Sequence, residues 1–217
     1  MWLIFLQMKN NKKIFILAPH TDDGEFGCGG SIAKFIEEGN EVFYVAFSIC
    51  EESVPEGYPK NILEIEVKNA TRKLGLNQEN LIIKNYPVRK FPEHRQEILE
   101  DLVKLERAHK PDLVFLPSSF DVHQDHKVIF EEGRRAFKKS SILGYEFPWN
   151  NFGFDSSTFI TLEERHIDKK IASIDEYKSQ EKRFYANEKL MKGLANFRGL
   201  QISREFAETF ETIRWII

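Results

Sequence analysis

Cysteine is nearly absent: Cys28 and Cys50 are the only two in 217 residues. Two thiols in so long a chain make no disulfide framework, so a reduced, cytosolic compartment is the expectation. Long apolar runs are lacking too, and none reaches the roughly 18 residues of a membrane-spanning helix. Neither sign of charge dominates. The net charge is −3, and the 30% of charged residues are mixed in sign. With no clustered basic surface to meet a phosphate backbone, nucleic acid is not an expected partner. Internal repeats, low-complexity tracts and linkers are also missing, so residues 1–217 are expected to form a single domain. The expected location is cytoplasmic, free or peripheral to the inner face of a membrane, and a homo-oligomer is compatible with the sequence.

Apolar residues make up 41% of the chain, enough for a substantial core. Residues 1–8 (MWLIFLQM) are apolar but lack the basic start and small-residue cleavage site of a signal peptide. They are expected to be a packed arm or translated sequence ahead of a true start at Met8. Lys13–Ala18 (KIFILA) is a continuous apolar run, the mark of a strand buried on both faces. Further strands are expected at Glu41–Phe47, Leu81–Ile83, Asp112–Leu116, Ile142–Phe147 and about Thr158–Leu162. Helical spacing covers Ser31–Glu38, Lys60–Leu74, Glu93–His109 and Asp125–Lys139, followed by a charged C-terminal third that reads as helical. Strands alternating with helices predict an α/β, Rossmann-like three-layer sandwich around a mainly parallel sheet.

Two polar clusters interrupt this pattern. His20-Thr21-Asp22-Asp23 follows the first strand, and His123-Gln124-Asp125-His126 follows the fourth. In a sheet of order 3-2-1-4-5 those strands are neighbours where the winding reverses, and ligands bind there, outside the carboxyl ends of the strands. Histidine nitrogens with carboxylate oxygens are the ligand set of hydrolytic zinc. His20 and Asp23, three residues apart, can reach one ion, and one histidine of the second cluster completes the set. Asp22 is placed to take a proton from water. The remaining histidine is placed to stabilise an oxyanion or to protonate a leaving amine. Taken singly, Asp22-Asp23 would pass for a helix N-cap, and either histidine for a solvated side chain. The glycines Gly24, Gly27, Gly29 and Gly30 are expected to let the backbone pass close to metal and substrate. A dinucleotide fingerprint fits them poorly, because Ile32 stands where its last glycine belongs. Cys28, among them, reads as small buried filler.

Ala18-Pro19-His20-Thr21-Asp22-Asp23-Gly24-Glu25, with Gly27-Cys28-Gly29-Gly30, resembles the first motif of the LmbE-like, or PIG-L, deacetylases. Thr21 stands where that family usually has proline, and Gly24 where a second acid is common. His123-Gln124-Asp125-His126 resembles the second motif. Phe197-Arg198-Gly199 and Phe206-Ala207-Glu208-Thr209-Phe210 are similar to the closing segment. The resemblance implies a Rossmann-like fold, zinc and removal of the acetyl group from N-acetylglucosamine units on larger carriers. It implies His20, Asp23 and His126 as zinc ligands, Asp22 as general base and His123 as oxyanion stabiliser. Asp125 would orient His123. Fe(II), Co(II) and Mn(II) suit similar sites.

Substrate contacts are expected from the Tyr145–Phe152 stretch, with Trp149 stacking on a sugar face and Asn150 bonding hydroxyls. Glu51, in Cys50-Glu51-Glu52, would bond sugar hydroxyls, and Arg198 or Arg204 would hold an anion on the carrier. His94, His109 and His166 read as solvent-facing. The leading expectation is a zinc-dependent amidohydrolase acting on a carrier-linked amino sugar. The alternatives are metal-assisted hydrolysis of another bond and a non-catalytic sugar or nucleotide binder.

Overall fold

The structure is a computed structural model and describes residues 11–217. The arm expected at residues 1–8 therefore lies outside the described residues. The elements run β1 (Lys13–His20), α1 (Asp23–Glu37), β2 (Glu41–Ser48), α2 (Ile62–Leu74), β3 (Leu81–Ile83), α3 (Arg95–His109), β4 (Leu113–Pro117) and α4 (Gln124–Ala136). They continue with β5 (Ser141–Tyr145), β6 (Thr158–Leu162), α5 (Glu164–Ile174), α6 (Glu188–Leu200) and β7 (Phe206–Arg214).

The seven strands form one sheet of order β3-β2-β1-β4-β5-β7-β6. The first five are parallel, in the order the apolar runs imply. Strand alternation divides the core. Ile14, Ile16, Val42, Tyr44 and Phe115 face α1, α2, α5 and α6, whereas Phe15, Leu17, Phe43, Val45 and Val114 face α3 and α4. Helices on both faces explain why these strands are apolar throughout rather than alternating. Among the described residues no helix is long and apolar enough to cross a membrane.

Two expectations about elements need correction. The C-terminal third is not helical throughout: β7 closes it, antiparallel to both β5 and β6. Its sequence, FAETFETIR, buries Glu208 and Thr209 along with its apolar residues, so hydrophobic alternation is masked. The first helix begins at Asp23 rather than Ser31 and bends at Cys28, where the backbone leaves helical geometry (φ −151°, ψ 26°). The glycines there serve packing rather than a ligand. A Cβ on Gly27 would stand 2.5 Å from the Tyr145 ring, and one on Gly24 would stand 2.4 Å from Tyr44. They let α1 press against β2 and β5.

The bend exposes fresh N–H groups that need acceptors. Glu208 supplies them from β7: it accepts from Gly30 N at 3.1 Å, Ser31 N at 2.7 Å and the Ser31 hydroxyl at 2.6 Å. Lys170 of α5 balances the charge, donating to Glu208 at 2.7 Å and to the Phe26 carbonyl at 2.7 Å. Both side chains are buried. Removing one member of a buried pair leaves an uncompensated charge, which typically costs about 3–5 kcal/mol. Glu208→Ala is expected to lower stability by about that much. Lys170→Met, which leaves Glu208 its three donors, should cost less. Urea unfolding of the two variants measures the order, and equal losses would contradict this account.

Candidate active site

His20 is the last residue of β1, and Asp23 opens α1 after a two-residue turn. His123 caps α4 and His126 lies in its first turn, just beyond β4. Because β1 and β4 pair, the clusters meet at the carboxyl ends of the two strands. Asp22 occupies the N-cap position of α1, but its side chain makes no cap bond. It is instead buried in the cluster, so the simple capping interpretation fails.

Three atoms converge. His20 Nδ1 lies 3.1 Å from Asp23 Oδ2, His126 Nε2 lies 3.2 Å from the same oxygen, and the two nitrogens are 3.3 Å apart. Tetrahedral zinc with bonds of about 2.0–2.1 Å needs ligand atoms about 3.3–3.4 Å apart. The donor types and their spacing therefore fit a small divalent cation. His20, His123 and His126 also form a group whose nitrogens lie within 4.8 Å of one another, so His123 stands at the edge of the same site.

The outer nitrogens are held by carboxylates. Asp121, buried behind α4, accepts from His126 Nδ1 at 2.7 Å. Asp125 accepts from His20 Nε2 at 3.0 Å, and also from the backbone N–H groups of Arg89 at 2.6 Å and Phe91 at 3.2 Å. This corrects the expected role of Asp125. Its carboxylate orients His20, and its link to His123 is a backbone one, with Asp125 N donating to His123 Nδ1 at 3.2 Å. The reason is helical geometry. The N-cap side chain turns back to take an N–H of the first turn, while the Asp125 side chain points away toward residues 89–91. With Nδ1 accepting, the network assigns the proton of a neutral His123 to Nε2.

The field favours positive charge here. Burial works against charging His20, yet Asp23 and Asp125 outweigh it and lift its pKa to about 10. Burial likewise opposes charging His126, which Asp23 and Asp121 raise to about 9. Asp23, despite burial, is held well below the usual carboxylate range by His126 and His20. His123 is pushed down to about 4, first by burial and then by the other two imidazoles. Burial raises Asp22, and Asp23 adds to the rise, while Arg183 opposes it at 3.0 Å.

Beneath the loop, two tyrosine hydroxyls donate to the Thr21 carbonyl, Tyr44 at 2.8 Å and Tyr177 at 2.7 Å. Both also contact Glu25, whose burial pushes its pKa up to about 8. Main-chain anchoring of this kind holds the loop with threonine at position 21. Cys28 is buried with its thiol on the Gly24 carbonyl, as filler would be.

A cavity of about 250 Å³ opens above the cluster, lined by His20, Asp22, Asp23, His123 and His126. Trp149 and Asn150 line it, as expected, and so do Leu63, Val88, Arg89, Arg183 and Tyr185. Trp149 stacks on Tyr185 with ring centres 4.3 Å apart. Other expected contacts are elsewhere. Glu51 is exposed and outside the lining. Arg198 is tied to half-buried Glu146 by two bonds, because α6 packs that guanidinium against the loop after β5. Arg204 is also outside the lining. His166 is buried, not solvent-facing: its Nδ1 accepts from Glu163 N in a capping box, and Nε2 meets Glu37. His109 packs on Phe43 with ring centres 4.6 Å apart, while His94 pairs with Glu97 near the surface. Asp121 was readable in principle, as an acid shortly before a histidine pair. Arg183 and Tyr185 were not, since they arrive from more than 150 residues away.

Residues 15–137 match the family model described as PIG-L, GlcNAc-PI de-N-acetylase. The uncharacterized deacetylase YaiS of Escherichia coli (strain K12) is 26% identical over 180 residues, covering 80% of this chain and 95% of YaiS. The conserved protein TT1542 from Thermus thermophilus superposes with a TM-score of 0.78 at 24% identity, covering 95% of this chain and 96% of its own. The N,N'-diacetylchitobiose deacetylase from Pyrococcus horikoshii, solved with its inhibitor MPG, gives 0.72 at 22%, covering 95% and 85%. At those identities the two structures establish a common fold.

Carboxylates that hold the outer nitrogen of a ligating histidine are typically worth 10–100-fold in metal affinity. Asp121→Ala is accordingly expected to weaken divalent-metal binding at the cluster about 10–100-fold. Competition titration against a chromophoric chelator reads this directly, and an unchanged affinity would remove Asp121 from the site.

Proposed function

This chain belongs to the PIG-L family, and from that premise we propose that it is a metal-dependent N-deacetylase acting on a GlcNAc-type amino sugar, joined to a carrier. The observation that carries this reading is the triangle of His20 Nδ1, Asp23 Oδ2 and His126 Nε2 with a buried carboxylate, Asp22, beside it and paired with Arg183. Those three residues would hold zinc, although Fe(II), Co(II) or Mn(II) would suit the same donors. Such an ion, when bound, brings the pKa of water to about 7 and polarises a carbonyl.

The remaining work falls to side chains. Asp22 takes the proton of the attacking water. Its pairing with Arg183 holds its carboxylate in place. His123 presents Nε2–H to the oxyanion that forms as water adds to the amide carbon. Collapse breaks the C–N bond, the proton held on Asp22 passes to the departing nitrogen, and acetate and a free amine result. Burial keeps His123 neutral and therefore a donor at that nitrogen. The faces of Trp149 and Tyr185 suit the apolar side of a sugar ring, and Asn150 suits a hydroxyl.

Loss of a general base typically costs 10²–10⁴-fold in rate. Asp22→Asn is expected to lower kcat by about that factor with zinc content unchanged. Chelation should abolish amine release by the parent, and added zinc should restore it. Both are measured by amine and acetate release from N-acetylated sugars. An Asp22→Asn protein as active as the parent would refute the assignment of the base.

A further inference from the structure

Two arginines reach the cavity, and they differ in what balances their charge. Arg183 meets the Asp22 carboxylate at 3.0 Å. Among the described residues no carboxylate pairs with Arg89, whose exposed guanidinium bonds the Ser53 hydroxyl, Nη2 to Oγ, at 2.9 Å. A guanidinium carries five N–H donors, and the Ser53 bond engages one of them.

The backbone of Arg89 makes its side chain more telling. It adopts φ +67°, in the left-handed region that side chains disfavour. Its N–H donates to Asp125 Oδ2 at 2.6 Å, and Asp125 holds His20. Glycine would supply that N–H without strain. An arginine stands there instead, fixed one carboxylate away from the metal-type cluster and lining the same cavity. Leu63 and Val88 give the lining apolar surface, and away from the metal-type cluster its polar groups are Ser53, Asn150, Tyr185 and the already paired Arg183. Charge is the strongest recognition element on that wall. Of the two arginines expected to meet an anion, Arg198 is already committed to Glu146 and Arg204 lies outside the cavity lining.

We propose that Arg89 is a specificity-determining residue that binds an oxyanion, a phosphate or a carboxylate, carried by the substrate beside its acylamino group. The proposal rests on the deacetylase reading above. The guanidinium fork offers two parallel N–H donors to such a group. Ser53 steadies the fork, and the left-handed turn holds it close to the cluster.

The test compares N-acetylglucosamine, its 1- and 6-phosphates and N-acetylmuramic acid on the zinc-loaded full chain. Each is assayed with the parent, Arg89→Gly and Arg89→Lys. Glycine keeps the N–H bound to Asp125 and relieves the strained φ, so the fold and zinc content should persist, as checked by circular dichroism and metal analysis. One charge-assisted fork corresponds to a preference of about tenfold or more. The parent should favour an anionic sugar over the neutral one by that factor in kcat/KM. Arg89→Gly should erase the preference, mainly through KM, and Arg89→Lys should retain part of it. The phosphate and carboxylate arms identify which oxyanion is held. Calorimetric binding of the same sugars to Asp22→Asn separates the two readings. Arg89-dependent binding of an anionic sugar without amine release by the parent would sink the deacetylase reading and leave this one standing. Equal binding of neutral and anionic sugars, or a preference unchanged in Arg89→Gly, would overturn the proposal.

Discussion

The arrangement of this molecule follows from one electrostatic requirement: holding His20, Asp23 and His126 with their donor atoms 3.1–3.3 Å apart in a buried place. Nitrogen and oxygen donors packed this closely need either a cation between them or protons shared among them. The protein meets the need from outside the triangle. Asp125 and Asp121 take the far nitrogens of the two imidazoles, and backbone N–H groups of residues 89 and 91 saturate Asp125 in turn. Each carboxylate is thereby committed, which is how buried charge becomes tolerable.

That requirement reaches into the sheet. Tyr44 and Tyr145 grow from β2 and β5, within the apolar layer, yet their hydroxyls end on the main-chain carbonyls of Thr21 and Leu17. Tyr44 can reach Thr21 because α1 lies close over the strands, and Gly24 and Gly27 leave room for both rings beneath that helix. The bend at Cys28 follows from the same close approach, and Glu208 with Lys170 closes it. So the loop bearing Asp22 and Asp23 is gripped from below by tyrosines and from behind by an ion pair.

Much of this was legible in the sequence. The unbroken apolar runs of β1, β2 and β4 imply a parallel sheet covered on both faces, and the sheet order places two polar clusters at one crevice. The parts that could not be read share a physical cause. β7 hides because Glu208 and Thr209 face inward to serve α1, so its pattern is not that of a half-buried strand. Asp125 could not be assigned to His20 rather than His123 without knowing the path of residues 89–91. Arg183, Tyr185 and Arg89 enter the cavity from loops whose local sequence carries no periodic signal. His166 and Arg198 look like surface charges until their partners Glu37 and Glu146 are brought to them by distant elements.

The clasp between Glu208 and α1 spans 178 residues of chain. Contacts of such separation form late in folding, because closing a long loop must precede any return from it. A folding chain that has assembled β1 through β5 therefore has its histidines in place while the helix carrying Asp23 is still unclasped. A metal held by His20, Asp23 and His126 would then mark folding completed rather than seed it. This reverses the order in small metal-nucleated domains, where the ion organises the chain.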